Sequence, residues 1–396
     1  MPAEYYAALV CAWLASYFVH STVLLGAAWV VTRRLPSRFD RLAELVWRIG
    51  LGVPVITTIG HQLAFLPASA VPSRAAVQYT PSALMLGTVP GAVWFGIAVV
   101  WIIGAAIGVA HLALLQRSLR RAIGHRTLIA VVSRFSGQPL RTLTDVVRVS
   151  VVGELSVPLA LASEVCLPTW IVRDMDPAER RAVLEHELAH VRRRDAMWRP
   201  LVATIARVFF FQPLNWVASV RLRELSECLC DEEAIHATNS PLPLASALET
   251  VAVRTMERPA HLSLVPAMNS GKSFTLRRVR RILSSSTAMR SRPARSATAV
   301  AMAVGIAAMM LAPRVIVPAI AFMRYTIDAQ DPAGHFTLTV QKGKVIGATI
   351  SGRALAAHQV TQSGRAVKIV DPATGTFSLQ LMPAGGVSWH ARKNGT

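Results

Sequence analysis

The chain has 396 residues, of which 53% are hydrophobic and 16% charged, with a mean hydropathy of +0.41; this excludes an ordinary water-soluble enzyme and implies a membrane protein of two or three domains. The net charge of +20 is carried mostly by arginines lying between uncharged runs, a pattern of positive cytoplasmic loops more than of a nucleic-acid surface. Cys11, Cys166, Cys228 and Cys230 lack the number and the C-x-x-C spacing of a disulfide framework or redox pair, and are expected to be reduced and mostly buried.

No charge interrupts residues 5–32, a run longer than the roughly 20 residues that cross a bilayer. The opening MPAEYY has no basic region of a cleavable signal, so this run is expected to remain as a first span. A second uncharged run covers 49–73, and a third spanning segment, GAVWFGIAVVWIIGAAIGVAHLALL, lies within the uncharged stretch 75–116. A fourth starts as SATAVAMAVGIAAMMLAP at 296–313 and resumes past Arg314, giving an expected helix over 296–322. The first connection carries Arg33, Arg34, Arg38 and Arg41, whereas the second carries Arg74 alone. This asymmetry predicts an N-terminus outside and residues 117–295 inside the cytoplasm, where 27 Lys/Arg stand against 16 Asp/Glu. The segment 207–220 is apolar but interrupted by Arg207, Gln212, Pro213 and Asn215, and is expected to be a helix or bent pair against the membrane rather than a fifth span. His20 and His111, within spans, are read as partners in interhelical hydrogen bonds.

The tail changes character. HFTLTV, KVIGATIS, AVKIVD and TFSLQL are rich in β-formers and separated by turn signals, predicting a small extracytoplasmic β-rich domain. The expected layout is a mainly α membrane protein: a three-helix transmembrane region (1–116), a cytoplasmic helical domain (117–295), a fourth transmembrane helix (296–322) and the β-rich domain (323–396).

Chemistry enters at RAVLEHELAHVRRRD, residues 181–195. Asp176 as N-cap, Pro177 in the first helical position and Glu179 three residues after the cap predict a helix over about 177–194. On it His186 and His190 are four apart and project from one face, with Glu187 beside them. Two imidazoles at this spacing suit a zinc ion, and the adjacent carboxylate suits a general base acting on water. By chance, H-E-x-x-H arises in roughly one chain in a hundred of this length. A third ligand is expected from RLRELSECLCDEEAIH, where Glu224, Glu227, Asp231, Glu232 and Glu233 all qualify by chemistry. Glu227 and Asp231 share a helical face, so one could ligate while the other orients a histidine. His236 is a weak candidate for oxyanion stabilisation.

The runs LPTWIVRDMDPAERRAVLEHELAHVRRRD and FFFQPLNWVASVRLRELSECLCDEEAI resemble the BlaR/MecR-type integral-membrane zinc metallopeptidases, antirepressors that relay β-lactam exposure to gene expression. The resemblance covers roughly residues 1–320. It implies a gluzincin-like protease domain with Zn2+ on His186, His190 and Glu227, with Glu187 as general base, Asp231 behind the ligands and Asp195 in a structural position. It also implies a bacterial cytoplasmic-membrane location, a signalling role, and a protein substrate such as a winged-helix transcriptional repressor or the chain itself. No S-x-x-K occurs in 323–396, so direct covalent β-lactam sensing by this tail is not expected.

The rival reading is a non-proteolytic receptor or scaffold with a structural metal site, which a fourth protein ligand would favour. The basic run RRVRRILSSSTAMRSRPARS lacks interleaved aromatics and abuts a span, so the lipid bilayer is its expected partner, with no direct nucleic-acid contact. A homo-oligomer is compatible with all of these readings.

Overall fold

The computed structural model describes residues 3–64, 83–85, 91–133, 146–153, 155–257, 272–284, 314–316, 324–331, 334–341, 344–363, 366–371, 375–381 and 387–391. Three long helices come first: α1 (Ala3–Thr32), α2 (Asp40–Ala64) and, after a short strand β1 (Ala83–Met85), α3 (Gly91–Ala122). Their segments Tyr6–Thr32, Ser37–Gly60 and Gly91–Ala122 are long and apolar enough to cross a membrane. The second begins nearer the N-terminus than the uncharged run suggests. Asp40 favours the positive end of the helix dipole, and Glu44 pairs with Arg48 one turn on at 2.7 Å, so α2 extends over these charged turns.

By contacts the chain divides into two compact units, each discontinuous in sequence. One unit contains residues 1–20, 56–102 and 311–396. In its helical part Cys11, Ala7 and Ala8 pack with Trp94 and Ala98, and His20 Nδ1 lies 2.9 Å from Thr57 Oγ1. This is the interhelical bond expected of His20.

The fourth expected span, 296–322, falls outside the described residues apart from 314–316. Those three form a strand, β6 (Arg314–Ile316), paired in parallel with β1, which corrects the helix expected there. The β-branched Val315 and Ile316 prefer extended backbone. The tail then builds two four-stranded antiparallel sheets. The first contains β7 (Arg324–Asp331), β8 (Gly334–Gln341), β9 (Lys344–Ile350) and β10 (Arg353–Ala354); the second contains β11 (Val360–Ser363), β12 (Ala366–Asp371), β13 (Gly375–Leu381) and β14 (Val387–Ala391). All four predicted strand segments lie in them. Ser351 and Gly352, both at positive φ, form the two-residue turn from β9 to β10, a conformation glycine adopts without steric cost. Leu338, Val340 and Ile350 from the first sheet meet Val367, Ile369 and Phe377 from the second in one core.

The other unit contains residues 21–55 and 103–310. It opens with a mixed four-stranded sheet of β2 (Arg126–Ser133), β3 (Val146–Val152), β4 (Leu159–Ala160) and β5 (Glu164–Pro168), in the order β2-β3-β5-β4, with β3 and β5 parallel. The domain over 117–295, expected to be helical, thus also carries a sheet ahead of its helices. In β3, Val147 and Val149 are buried while Arg148 between them is exposed, the two-residue period of a half-buried strand. They join Val165 and Leu167 of β5 in a core with Val183, Leu188 and Val191. Six helices follow: α4 (Thr169–Asp174), α5 (Pro177–Arg193), α6 (Asp195–Val208), α7 (Pro213–Thr238), α8 (Leu242–Glu257) and α9 (Lys272–Ser284).

The segment 207–220 is a bent pair, as expected: α6 ends at Val208 and α7 starts at Pro213. Buried Gln212 caps α7 by accepting from Leu214 N, and its Nε2 donates to Ser21 Oγ (2.8 Å) and Thr22 Oγ1 (2.9 Å) of α1. Phe210 lies so close to α3 that a Cβ at Gly104 would come within 2.6 Å of its ring, an approach only glycine permits. Leu25, Ala28, Trp47 and Leu51 complete the contact with Val202, Ala218 and Leu222, which fixes α6 and α7 on the membrane helices.

Candidate metal centre

α5 starts as its sequence predicts, with Pro177 in the first turn, but Asp176 makes no side-chain cap bond. Glu179 is drawn instead to the Ser246 hydroxyl on α8, so the expected capping box does not form. His186, Glu187 and His190 are all buried on this helix. The helix ends where Arg194 takes a left-handed conformation (φ 58°), and α6 begins at the next residue. This abrupt turn returns the Asp195 carboxylate to the helix it has just left, placing Oδ2 2.8 Å from His190 Nδ1.

α7 crosses α5 and brings its acids to the imidazoles. Glu227 Oε2 lies 3.6 Å from His186 Nε2, and Glu227 Oε1 lies 3.6 Å from His190 Nε2. One turn on, Asp231 Oδ1 is 3.1 Å from His186 Nδ1. The other three candidate acids point elsewhere: Glu224 pairs with Arg221 and Arg277, Glu232 with Arg281, and Glu233 with Arg41 and Arg192. His236 lies in the last turn of α7 and makes no contact with this group among the described residues.

Each imidazole thus has a carboxylate near Nδ1, hydrogen-bonded at His190 and within ion-pair distance at His186, and directs Nε2 toward Glu227. With the proton on Nδ1, Nε2 keeps a lone pair for a metal, and the carboxylate behind fixes the ring. Ligand atoms of His186, His190 and Glu227 all lie within 4.8 Å of one another. Their 3.6 Å nitrogen–oxygen separations are close to the roughly 3.4 Å edge of a tetrahedron with zinc-length bonds. Two imidazoles and a carboxylate are a donor set that fits zinc.

His190, Asp195 and Cys230 form a second cluster of possible donors. Here the imidazole would have to use Nδ1, which is already engaged by Asp195 and lies 3.2 Å from Cys230 Sγ. Burial pushes the Cys230 thiol well above its ordinary range, which keeps it protonated and a poor ligand. The first set is the better metal site.

Arginines surround the acids. Arg278 donates to both oxygens of Asp231 (2.7 and 2.8 Å) and lies 3.0 Å from Glu227 Oε2, while Arg199 donates to Glu227 Oε1 at 2.6 Å. Burial disfavours charge on Glu227, but Arg278, the two histidines and Arg199 hold its carboxyl well below the usual range. Asp195 is likewise held low against its burial, by His190, Arg193 and a 2.7 Å bond from the Ser226 hydroxyl. For His186 burial opposes protonation, yet Asp231 and Glu227 push it up to about 9. Glu187 makes no hydrogen bond or ion pair with a described residue. Burial, chiefly, with Glu164 and Glu187, pushes the Cys166 thiol on β5 up to about 11.

Asp195, Arg199 and Arg278 are the residues that sequence reasoning missed or undervalued. Asp195 carried a faint signal as an acid five residues after His190. The two arginines carried none, because their roles depend on α6 and α9 folding back over α7.

Residues 68–282, more than half of the chain, match the family described as BlaR1 peptidase M56. Curated relatives include the methicillin resistance mecR1 proteins of Staphylococcus aureus strain Mu50 and of Staphylococcus epidermidis, each 27% identical over 77 residues. Those residues are 19% of this chain and 13% of each relative, so the match spans a small part of the relatives' length. By the match over residues 68–282, the chain belongs to the BlaR1 peptidase M56 family.

Proposed function

We propose that this protein is a zinc-dependent membrane endopeptidase acting in signal transduction, with His186, His190 and Glu227 holding the ion and Glu187 serving as general base. The observation that carries this reading is the pair of buried imidazoles, each with a carboxylate near Nδ1 and each with Nε2 3.6 Å from Glu227. A bound zinc ion would supply Lewis acidity, lowering the pKa of a water toward neutrality. Glu187 accepts the proton of the attacking water and passes it to the leaving amine. Asp231 and Asp195 keep the imidazoles in the metal-binding tautomer, and Arg199 and Arg278 keep Glu227 ionised.

The substrate we propose is a cytoplasmic or juxtamembrane protein, either a transcriptional repressor or the chain itself, cleaved on the inner side of the bacterial cytoplasmic membrane. The excess of arginine in the first connection supports that side. Among the described residues three side chains converge as ligands, which favours hydrolysis over a closed structural site. The test is zinc content and cleavage of the detergent-purified protein. Wild type and Glu187→Ala should each hold about one zinc per chain while Glu227→Ala holds it weakly, and only wild type should cleave. Unchanged signalling by Glu187→Ala in cells would instead support the receptor reading.

A further inference from the structure

Between the end of α1, the start of α2, and α7 and α9 lies a cavity of about 500 Å3 that the proposed hydrolysis does not use. Its wall carries Arg33, Arg221, Arg277, Arg278 and Arg281 against two acids, Asp40 and Glu224. Arg278 is paired with Asp231 and Glu227, and Arg281 with Asp40 and Glu232, so the unbalanced cations are Arg33, Arg221 and Arg277, three against the single carboxylate of Glu224. Glu224 is shared by Arg221 and Arg277 (2.9 and 3.0 Å), so neither has a carboxylate to itself. Arg33 has no carboxylate partner among the described residues, and its guanidinium stacks 4.8 Å over the Trp29 ring, which also lines the cavity. Unbalanced arginines around an open cavity suit an oxyanion, and guanidinium forks match the oxygens of a phosphate.

The position of the cavity selects the source of that phosphate. Gln212 at the base of α7 bonds Ser21 and Thr22, and Phe210 lies over Gly104. Both contacts fall near the middle of the membrane-length segments Tyr6–Thr32 and Gly91–Ala122. At 1.5 Å per helical residue, Thr32 on α1 and Glu224 on α7 stand about 17 and 18 Å further along. That distance is just beyond the roughly 15 Å half-thickness of a bilayer's hydrocarbon core, the level of lipid headgroups. Below it on α1, Val23, Val30 and Val31 are exposed and offer an apolar path for acyl chains.

We propose that this cavity binds the phosphate of an anionic phospholipid headgroup, with Arg33 and Arg277 as its principal contacts. A choline-bearing headgroup is disfavoured because its quaternary ammonium would meet the surplus arginines. Free phosphate shares the charge but lacks the acyl chains that the location favours.

The test uses the full chain, purified and delipidated in detergent, with tryptophan emission as the readout, since Trp29 and Trp47 line the cavity. Short-chain phosphatidylglycerol, short-chain phosphatidylcholine and inorganic phosphate are the three probes. Saturable binding of phosphatidylglycerol, weakened at least tenfold by the double variant Arg33→Gln/Arg277→Gln and largely recovered by Arg33→Lys/Arg277→Lys, is the expected result. An equal response to phosphatidylcholine, or unchanged binding in the glutamine variant, overturns the proposal. Inorganic phosphate binding as tightly as phosphatidylglycerol overturns the lipid assignment. If the double variant does not fold, Arg33→Gln alone carries the test, because Arg33 has no ion pair with a described residue to lose, and a several-fold weakening is required. Arg278 is left intact because it holds Glu227 and Asp231. The readout is binding, so failure here leaves the proposed hydrolysis standing.

Discussion

Asp195→Asn is the most informative single change, because it keeps the shape of the side chain and removes its charge. Asp195 is 3% exposed, and one of its oxygens accepts from His190 Nδ1 at 2.8 Å and the Ser226 hydroxyl at 2.7 Å, with a longer contact from the Cys230 thiol at 3.9 Å. Bonds to a charged partner contribute about 1.5–3 kcal/mol each and neutral ones about 0.5–1.5 kcal/mol. An asparagine that keeps these contacts through its carbonyl oxygen therefore loses about 1–1.5 kcal/mol at the bond to His190, and about as much again at the bond from Ser226. Part of this loss appears as folding stability. The remainder falls on the metal, and the usual effect of losing such a carboxylate is about 10–100-fold in affinity. Zinc affinity of the purified protein, measured by competition with a chromophoric chelator, should fall within that range while Glu187-dependent chemistry remains qualitatively intact. Unchanged affinity and an unchanged melting temperature in Asp195→Asn would refute the reasoning, and would mean that the 2.8 Å contact does not orient the ring.

Arg278→Gln should be severely destabilising, by about 3–5 kcal/mol, because it leaves the buried Asp231 without its cation, while the partly exposed Glu227 keeps Arg199. A melting temperature within a degree or two of wild type would contradict this. The zinc-stripped protein should lose stability as pH rises. His186 is raised from 6.5 to about 9, so the contribution of its charged form is complete below about pH 6.5 and disappears as pH passes 9. Melting temperatures of chelator-treated protein should therefore decline over that window, whereas zinc uptake, which displaces the proton, should tighten over it. A flat profile in both measurements would show that His186 is not protonated against Asp231.

Much of the centre was legible in the sequence because its information is local. Two histidines four apart on a helix share a face whatever surrounds them, and uncharged runs of membrane length announce α1, α2 and α3. The alternating β-formers of AVKIVD likewise gave β12, whose Val367 and Ile369 point into the core. The sheet of β2 to β5 is less legible: VVRVSVV carries a strand's β-branched run, but β4 has only two residues, and the sheet depends on the long-range parallel pairing of β3 with β5.

The acid that meets both imidazoles could not be chosen by spacing alone. Glu224, Glu227, Asp231, Glu232 and Glu233 are chemically equivalent until α7 crosses α5 at a particular rotation, and resemblance, not spacing, selected Glu227. That rotation is fixed by distant contacts: Gln212 on Ser21 and Thr22, and Ala218 and Leu222 against Leu25 and Trp47. Asp195 acquires its role from one left-handed residue, Arg194, and Arg278 from the return of α9 across α7. The sequence by itself determined which groups can bind metal and which segments are apolar enough to cross a bilayer, since both follow from residue type and helical period. The tertiary structure alone decided which carboxylates and arginines complete the site, because that depends on helix rotation and crossing, which no local pattern encodes.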